Sequence, residues 1–302
     1  MSTSPPFSRA LLDSLLDRNA LWSQDFISQQ PDLANALRQG QHPKVFWIGC
    51  SDSRVPESVV CNARPGELFV LRNVANQFHP NDDSAVSALI FAVQALGVEH
   101  VIVVGHTSCG GVTAAVNQAI KEQDEDHELP SSSALTRHLT PLTGLARYLR
   151  VRVRERNLMS PESMQDHLVP LLTEASVRRQ IQNIVEHPVI QDNWNQKVSP
   201  LNGKVNPRVT IHGWVHNLVR VVLWTSTRQF IRRSFMRANL SINHSIECPH
   251  PFRIVLRAMR WPWQSDRSPR THDVHSVVMG VATLIARHWV FSGRERLPYV
   301  LR

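Results

Sequence analysis

The chain has 302 residues, enough for one large domain or two modest ones, and 42% of them are hydrophobic, which permits a substantial core. Its formal charge of +8 invites an anionic partner, but the 85 residues from Leu218 hold 14 Arg, no Lys and four acids, a balance of +10 that leaves −2 on the rest. The part that carries the motifs is slightly acidic, which argues against nucleic-acid binding there, and no run of about 18 apolar residues offers a membrane span.

Residues 1–9 are rich in Ser and Pro and are expected to be disordered. Asp13 and Asp17 interrupt any apolar leader, against a secretory signal or a mitochondrial presequence, so the expected location is the cytoplasm. Residues 10–40 predict one or two helices. Leu11, Leu12, Leu15, Leu16 and Leu21 recur at helical spacing, and Trp22 and Phe26 continue the stripe. Such a stripe suits the helix's own core or a partner subunit.

The run from Val45 to Gly49 predicts a short buried strand that delivers Cys50, Asp52 and Arg54 at alternate positions. Pro56 and Glu57 open a helix. Gly66 to Leu71 predicts a second strand, ending at the segment Arg72–Asn76. Asp82 to Leu96 predicts a helix, with acids at its start, apolar residues at steps of three and four, and Gly97 as its stop. Val101 to Gly105 predicts a third strand, followed by His106, Cys109, Gly110 and Gly111 and then a helix to Glu122. Strands alternating with helices of this length mean βαβ units and a mostly parallel central sheet flanked by helices, an α/β fold.

Lys121 to Ser133 reads as a surface loop. Leu135 to Arg156 and Pro161 to His187 read as long helices, with Arg147 to Arg156 a solvated basic face. Val209 to Val215 alternates as a further strand, placed at the sheet edge. From residue 218 the chain is basic and carries four of the eight Trp, and it shows no motif; only Val277–Ala286 suggests a short helix.

Four cysteines, at 50, 61, 109 and 248, form no disulfide framework. Cys50 and Cys109 stand beside other ligand types, which favours a reduced compartment and metal binding. Zinc takes thiolate and imidazole in a tetrahedron, and three protein ligands with an open fourth position mark a catalytic site. Cys50, His106 and Cys109 supply such a set if the two strands lie side by side. Asp52 either fills the fourth position or stands just outside it, and Arg54 can grip it in a bidentate pair that keeps it ionised. The helix after Gly110 and Gly111 would aim its N-terminal amides at the site, favouring thiolate. Residue types alone leave three readings open: a catalytic metal, a structural metal with Cys61 as fourth ligand, and no metal.

The segments Cys50–Arg54, Arg72–Asn76 and His106–Gly111, in this order and spacing, resemble the three signature segments of the β-class carbonic anhydrases. Glu67–Val70, Leu139–Leu149 and Ile211–Trp214 agree with them, and the resemblance covers roughly residues 10–217. It implies one Zn2+ per chain on Cys50, His106 and Cys109, an Asp52–Arg54 dyad beside it, and reversible hydration of CO2 to bicarbonate and a proton by zinc-hydroxide attack. It also implies a homodimer or dimer of dimers whose N-terminal helices pack on the partner subunit. Gln77, Phe78 and the Gly110 amide are candidates for the CO2 pocket, and His79 and His42 for proton transfer. Trp47 and Arg72 match two positions of a bicarbonate-regulated site found in some relatives. The third position there is Tyr, and here it is His216, so Trp47 reads as core.

Residues 218–302 match nothing in that family. They read as a gene-model artefact or as a basic extension, poorly packed in either case. Two other functions stay open at this point: hydrolysis of carbonyl sulfide or carbon disulfide on the same fold, and a basic nucleic-acid-binding protein with a structural zinc.

Overall fold

A computed structural model describes residues 7–121, 133–155 and 164–226. The chain opens with α1 (Phe7–Gln29) and α2 (Pro31–Arg38). Pro31 at the first helical position lacks the N–H that would continue α1 and has the φ that starts a new helix. α1 begins inside the stretch expected to be disordered, and residues 1–6 lie outside those described.

β1 (Val45–Cys50) comes next, then the single-turn α3 (Glu57–Val60) and β2 (Leu68–Asn73). β2 starts later than the sequence suggests, because Gly66 turns the chain at φ +87° and Glu67 is tied to Arg64. A tight 3-10 turn, Val74–Asn76, follows. α4 (Asp83–Ile90) is capped by Asp82, whose carboxylate accepts from the N–H groups of Ser84 and Ala85. It widens into a π turn over Phe91–Leu96 and stops at Gly97, which is left-handed. Then come β3 (His100–His106), α5 (Gly110–Lys121), α6 (Ala134–Glu155), α7 (Met164–Glu186), α8 (Pro188–Trp194), β4 (Thr210–Asn217) and β5 (Val222–Thr225).

The sheet order is β2-β1-β3-β4-β5, with the first four strands parallel and β5 antiparallel. β4 is therefore an inner strand and not the edge expected from the sequence. The chain turns at residues 218–221 and lays β5 along it. The sheet thus runs past residue 217, where the resemblance ends. The rest of the basic stretch from 227, Val277–Ala286 included, lies outside the described residues, as does most of the 121–133 loop.

Period-two alternation sorts the strand side chains. Phe46, Ile48, Val101, Val103, Ile211 and Val215 face Leu89 of α4 and Val177, Ile181 and Ile184 of α7 in the main core. Each such fully buried side chain contributes about 1.5–3 kcal/mol. Trp47, Ile102 and Val104 face the other way, with Trp214 edge-on to Trp47 at 6.1 Å. A second core joins α5, α6 and the first half of α7 around Cys50 and Cys109.

Candidate metal centre

The chain goes from β1 to β2 on one side, then crosses to β3 on the other, so the strand order reverses between β1 and β3. Open α/β sheets carry their sites outside the carboxyl ends of strands at such a switch point. β1 ends at Cys50, and β3, its parallel neighbour, ends at His106. Thr107 and Ser108, the latter at φ +56°, turn the chain so that Cys109 stands at the entrance of α5. Gly105 lets α7 close on the end of β3: a Cβ there would lie 2.9 Å from Val177 Cγ2.

Cys50, His106 and Cys109 are each at most 6% exposed, and their ligand atoms lie within 4.8 Å of one another. The two sulfurs are 3.9 Å apart, against about 3.8 Å for two thiolates on one tetrahedral zinc with 2.3 Å bonds. His106 Nδ1 donates to the Thr107 carbonyl at 3.0 Å, which puts the ring's lone pair on Nε2. That Nε2 is buried and has no hydrogen-bond partner among the described residues. Two sulfurs and one orphaned imidazole nitrogen converging in a buried space form a donor set suited to zinc. Cys61 is exposed and is not in the cluster.

The surroundings of the two sulfurs favour charge on Cys50 and oppose it on Cys109. Cys50 is pulled well below the ordinary thiol range, first by Cys109 and then, against burial, by the neighbouring His106 ring and the backbone at Asp52 and Ala75. Cys109 is pushed up by sharing a proton with Cys50 and by burial, and the Val112 and Gly111 amides at the start of α5 oppose this. The helix N-terminus thus points at the site as its sequence suggests.

Asp52 stands beside the cluster, with Oδ2 3.9 Å from His106 Nε2. Arg54 grips it: Nε donates to Oδ1 at 2.9 Å, Nη2 to Oδ2 at 2.7 Å, and the Arg54 N–H to Oδ1 at 2.9 Å. The Arg54 side chain holds the carboxyl well below the usual carboxylate range against the opposing effect of burial. Arg54 Nη2 also donates to the Ser108 carbonyl, so the dyad is tied to the turn that carries Cys109.

Gln77 and Phe78 are fully enclosed in this protomer. Gln77 donates to the Ala75 carbonyl and Ser176 and accepts from Gln180, so its amide is engaged at both ends. Phe78 packs in the main core, edge-on to His187. At Gly110 an added Cβ would meet nothing within 4 Å. Behind the cluster, Trp47, Val104, His106 and His216 line a cavity of ≈ 10 Å³, about the space of one water.

Sequence reasoning missed the role of Arg72. It donates to the carbonyls of Cys50 and Asp52 at 2.9 and 2.7 Å and so shapes the ligand turn. Its place at the end of β2, in register with Gly49, is the signal that points there once β1 and β2 are paired.

Residues 45–221 match the family described as Carbonic anhydrase. The chain belongs to the β-carbonic anhydrases. A carbonic anhydrase of Emericella nidulans is 30% identical over 206 residues, 68% of this chain and 79% of the relative. The mitochondrial β-carbonic anhydrase 6 of Arabidopsis thaliana is 33% identical over 186 residues, 61% of this chain and 56% of its own. Among solved structures, one of two tetrameric β-carbonic anhydrases of Sordaria macrospora aligns over 74% of this chain and all of its own, with TM-score 0.59 and 25% identity. The β-carbonic anhydrase CafA of Aspergillus fumigatus covers 72% of this chain and 92% of its own, with TM-score 0.56 and 30% identity. The Cys50–Arg54 turn, the Ala75 turn and the start of α5 all fall within the matched span of this β-carbonic anhydrase. No helix of the described residues is long and apolar enough to cross a membrane.

Proposed function

We propose that this β-carbonic anhydrase hydrates CO2 reversibly to bicarbonate and a proton, using one Zn2+ per chain held by Cys50, His106 and Cys109. The observation that carries the reading is the orphaned His106 Nε2 facing two buried sulfurs 3.9 Å apart. When bound, zinc supplies a Lewis acid that makes water a nucleophile near neutral pH.

The residues of the chain do the rest. Asp52, kept ionised by Arg54, is an acceptor at the edge of the ligand set and orients the attacking water through one of its O–H bonds. Arg54, anchored on the Ser108 carbonyl, holds that carboxylate at a fixed distance from the ligands. The open space at Gly110 leaves room for a small linear substrate beside the α5 amides. Gln77 and Phe78, enclosed as they are, serve the pocket by fixing the turn before them. The net reaction consumes CO2 and water and releases bicarbonate and a proton to buffer.

The exposed leucines of α1 support assembly as a homodimer or dimer of dimers. We place the protein in the cytoplasm, with a mitochondrial relative as the contrary indication. Stopped-flow CO2 hydration with zinc quantified in the same sample tests the function. Turnover proportional to zinc supports it; one zinc per chain without turnover on CO2, but with turnover on carbonyl sulfide, overturns it.

A further inference from the structure

The turn that follows β2 is strained. Ala75 is left-handed at φ 61°, ψ 29°, and Asn76 follows at φ 47°, a region that a residue with a Cβ occupies only at a cost. Such strain persists only where the surroundings over-determine it. Asn73 closes the turn locally, pairing with both the N–H and the carbonyl of Gln77, each at 2.7 Å. The remaining hold comes from α7. Its Ser176, Gln180 and Asn183 recur at steps of four and three and so share one face, and Ser176 and Gln180 are buried.

That face fixes the Gln77 amide. The Phe78 N–H can only donate, and it donates to Gln180 Oε1 at 2.9 Å. Gln180 therefore turns Nε2 toward Gln77 and donates to its Oε1 at 3.2 Å. Gln77 is left with Nε2 toward the Ala75 carbonyl at 2.5 Å and Ser176 Oγ at 3.0 Å. A carbonyl can only accept, so the backbone groups at the two ends allow one orientation of both amides. The turn then meets α5 at Gly111, where a Cβ would lie 2.9 Å from Val74 Cγ1 and 3.0 Å from Ala75 Cβ. Gly111 is the second residue of that helix, directly after Gly110, so the seat of the turn sets where the helix starts.

Resting on the reading of this chain as a CO2 hydratase with its substrate beside the start of α5, we infer that Gln180 is a positioning residue for the reaction, which fixes the Gln77 amide and so holds the Ala75 turn in its left-handed form against Gly111.

The test uses the zinc-loaded full chain as wild type, Gln180→Met, Ala75→Gly and the double variant. It reads CO2 hydration at equal zinc occupancy together with hydrogen exchange of the Gln77 N–H. Met keeps the length of Gln and removes both amide contacts. Gln180→Met should lose roughly tenfold in kcat/KM, the factor by which a left-handed L-residue is disfavoured once nothing holds it, and its Gln77 N–H should exchange correspondingly faster. Glycine takes positive φ without that cost, so adding Ala75→Gly should recover most of both losses. A role in stability alone would lower the melting temperature and leave nothing for a glycine at residue 75 to recover. Wild-type kcat/KM in Gln180→Met overturns the inference, and so does a loss that Ala75→Gly does not recover or that leaves Gln77 exchange unchanged. If Gln180→Met does not fold, Gln77→Met cuts the same link from its other end and is read against the same outcomes. If zinc-loaded wild type hydrates no CO2, the functional reading itself falls and takes this inference with it.

Discussion

Arg54 and Asp52 face each other as fork and carboxylate, with contacts of 2.9 and 2.7 Å. The pair is two residues apart in sequence, and the Arg54 amide adds a third bond to the same oxygen. Removing the fork leaves Asp52 free to turn toward the ligand atoms 3.9 Å away. Arg54→Ala is expected to lower kcat/KM by about 10–100-fold while zinc stays near one per chain. Arg54→Lys should rescue little, since an ammonium cannot make the bidentate contact. Wild-type turnover in Arg54→Ala would remove the dyad from the mechanism.

The two glycines that open α5 should behave differently. A Cβ at Gly111 would press on Val74 Cγ1 at 2.9 Å and Ala75 Cβ at 3.0 Å, whereas one at Gly110 meets nothing within 4 Å. Gly111→Ala is expected to cost about 1–3 kcal/mol and to disturb the Ala75 turn. Gly110→Ala should stay within about 0.5 kcal/mol in stability. Denaturant unfolding of the two variants checks this, and equal losses would contradict the packing described.

Glu174 on α7 gives a pH dependence. Burial holds its carboxyl above the ordinary range, and Arg178, 3.4 Å away, opposes this only in part. The folded chain then binds the proton more tightly than the unfolded one. Its contribution is fully present below the unfolded value of about 4.3 and is lost as pH rises through the higher folded value. Glu174→Gln does not titrate, so its melting temperature should exceed that of wild type by a margin that grows from pH 4 toward pH 7. A margin independent of pH would rule this out.

Leu12, Leu15, Leu16 and Trp22 of α1 are 48–69% exposed in the single protomer. Leu12→Glu combined with Leu16→Glu is expected to shift sedimentation toward a smaller species and to make the melting temperature fall further on dilution. Unchanged assembly would place the interface elsewhere.

The sheet and the meeting of Cys50, His106 and Cys109 were legible because both rest on local signals. Val45–Gly49 and Val101–Gly105 are apolar runs too short for helices, each closed by glycine, and His106 and Cys109 share one turn. What the residues did not announce depends on distant partners. Ala75 can be left-handed because the bare backbone of Gly111, on α5, leaves room for its Cβ. β5 has little pattern of its own and becomes a strand by pairing with Val215 and His216. Arg72 looked like part of a regulatory site, yet its guanidinium is committed to two carbonyls on β1 and the turn beyond it. Gln77 and Phe78, read as pocket residues, are enclosed because α7 supplies Ser176 and Gln180 from a hundred residues away.

The donor set also has a mechanical meaning. Cys50 and Cys109 are 59 residues apart in the chain, and a cation between them would staple that whole length as a disulfide would. Closing a ring of this size removes about 4 kcal/mol of conformational freedom from the unfolded chain. The staple spans the crossover from β1 to β3, the contact on which the sheet depends. Chelation should therefore cost the protein its fold at temperatures where the loaded form is still whole, making metal supply a control on how much enzyme exists as well as on how fast it works.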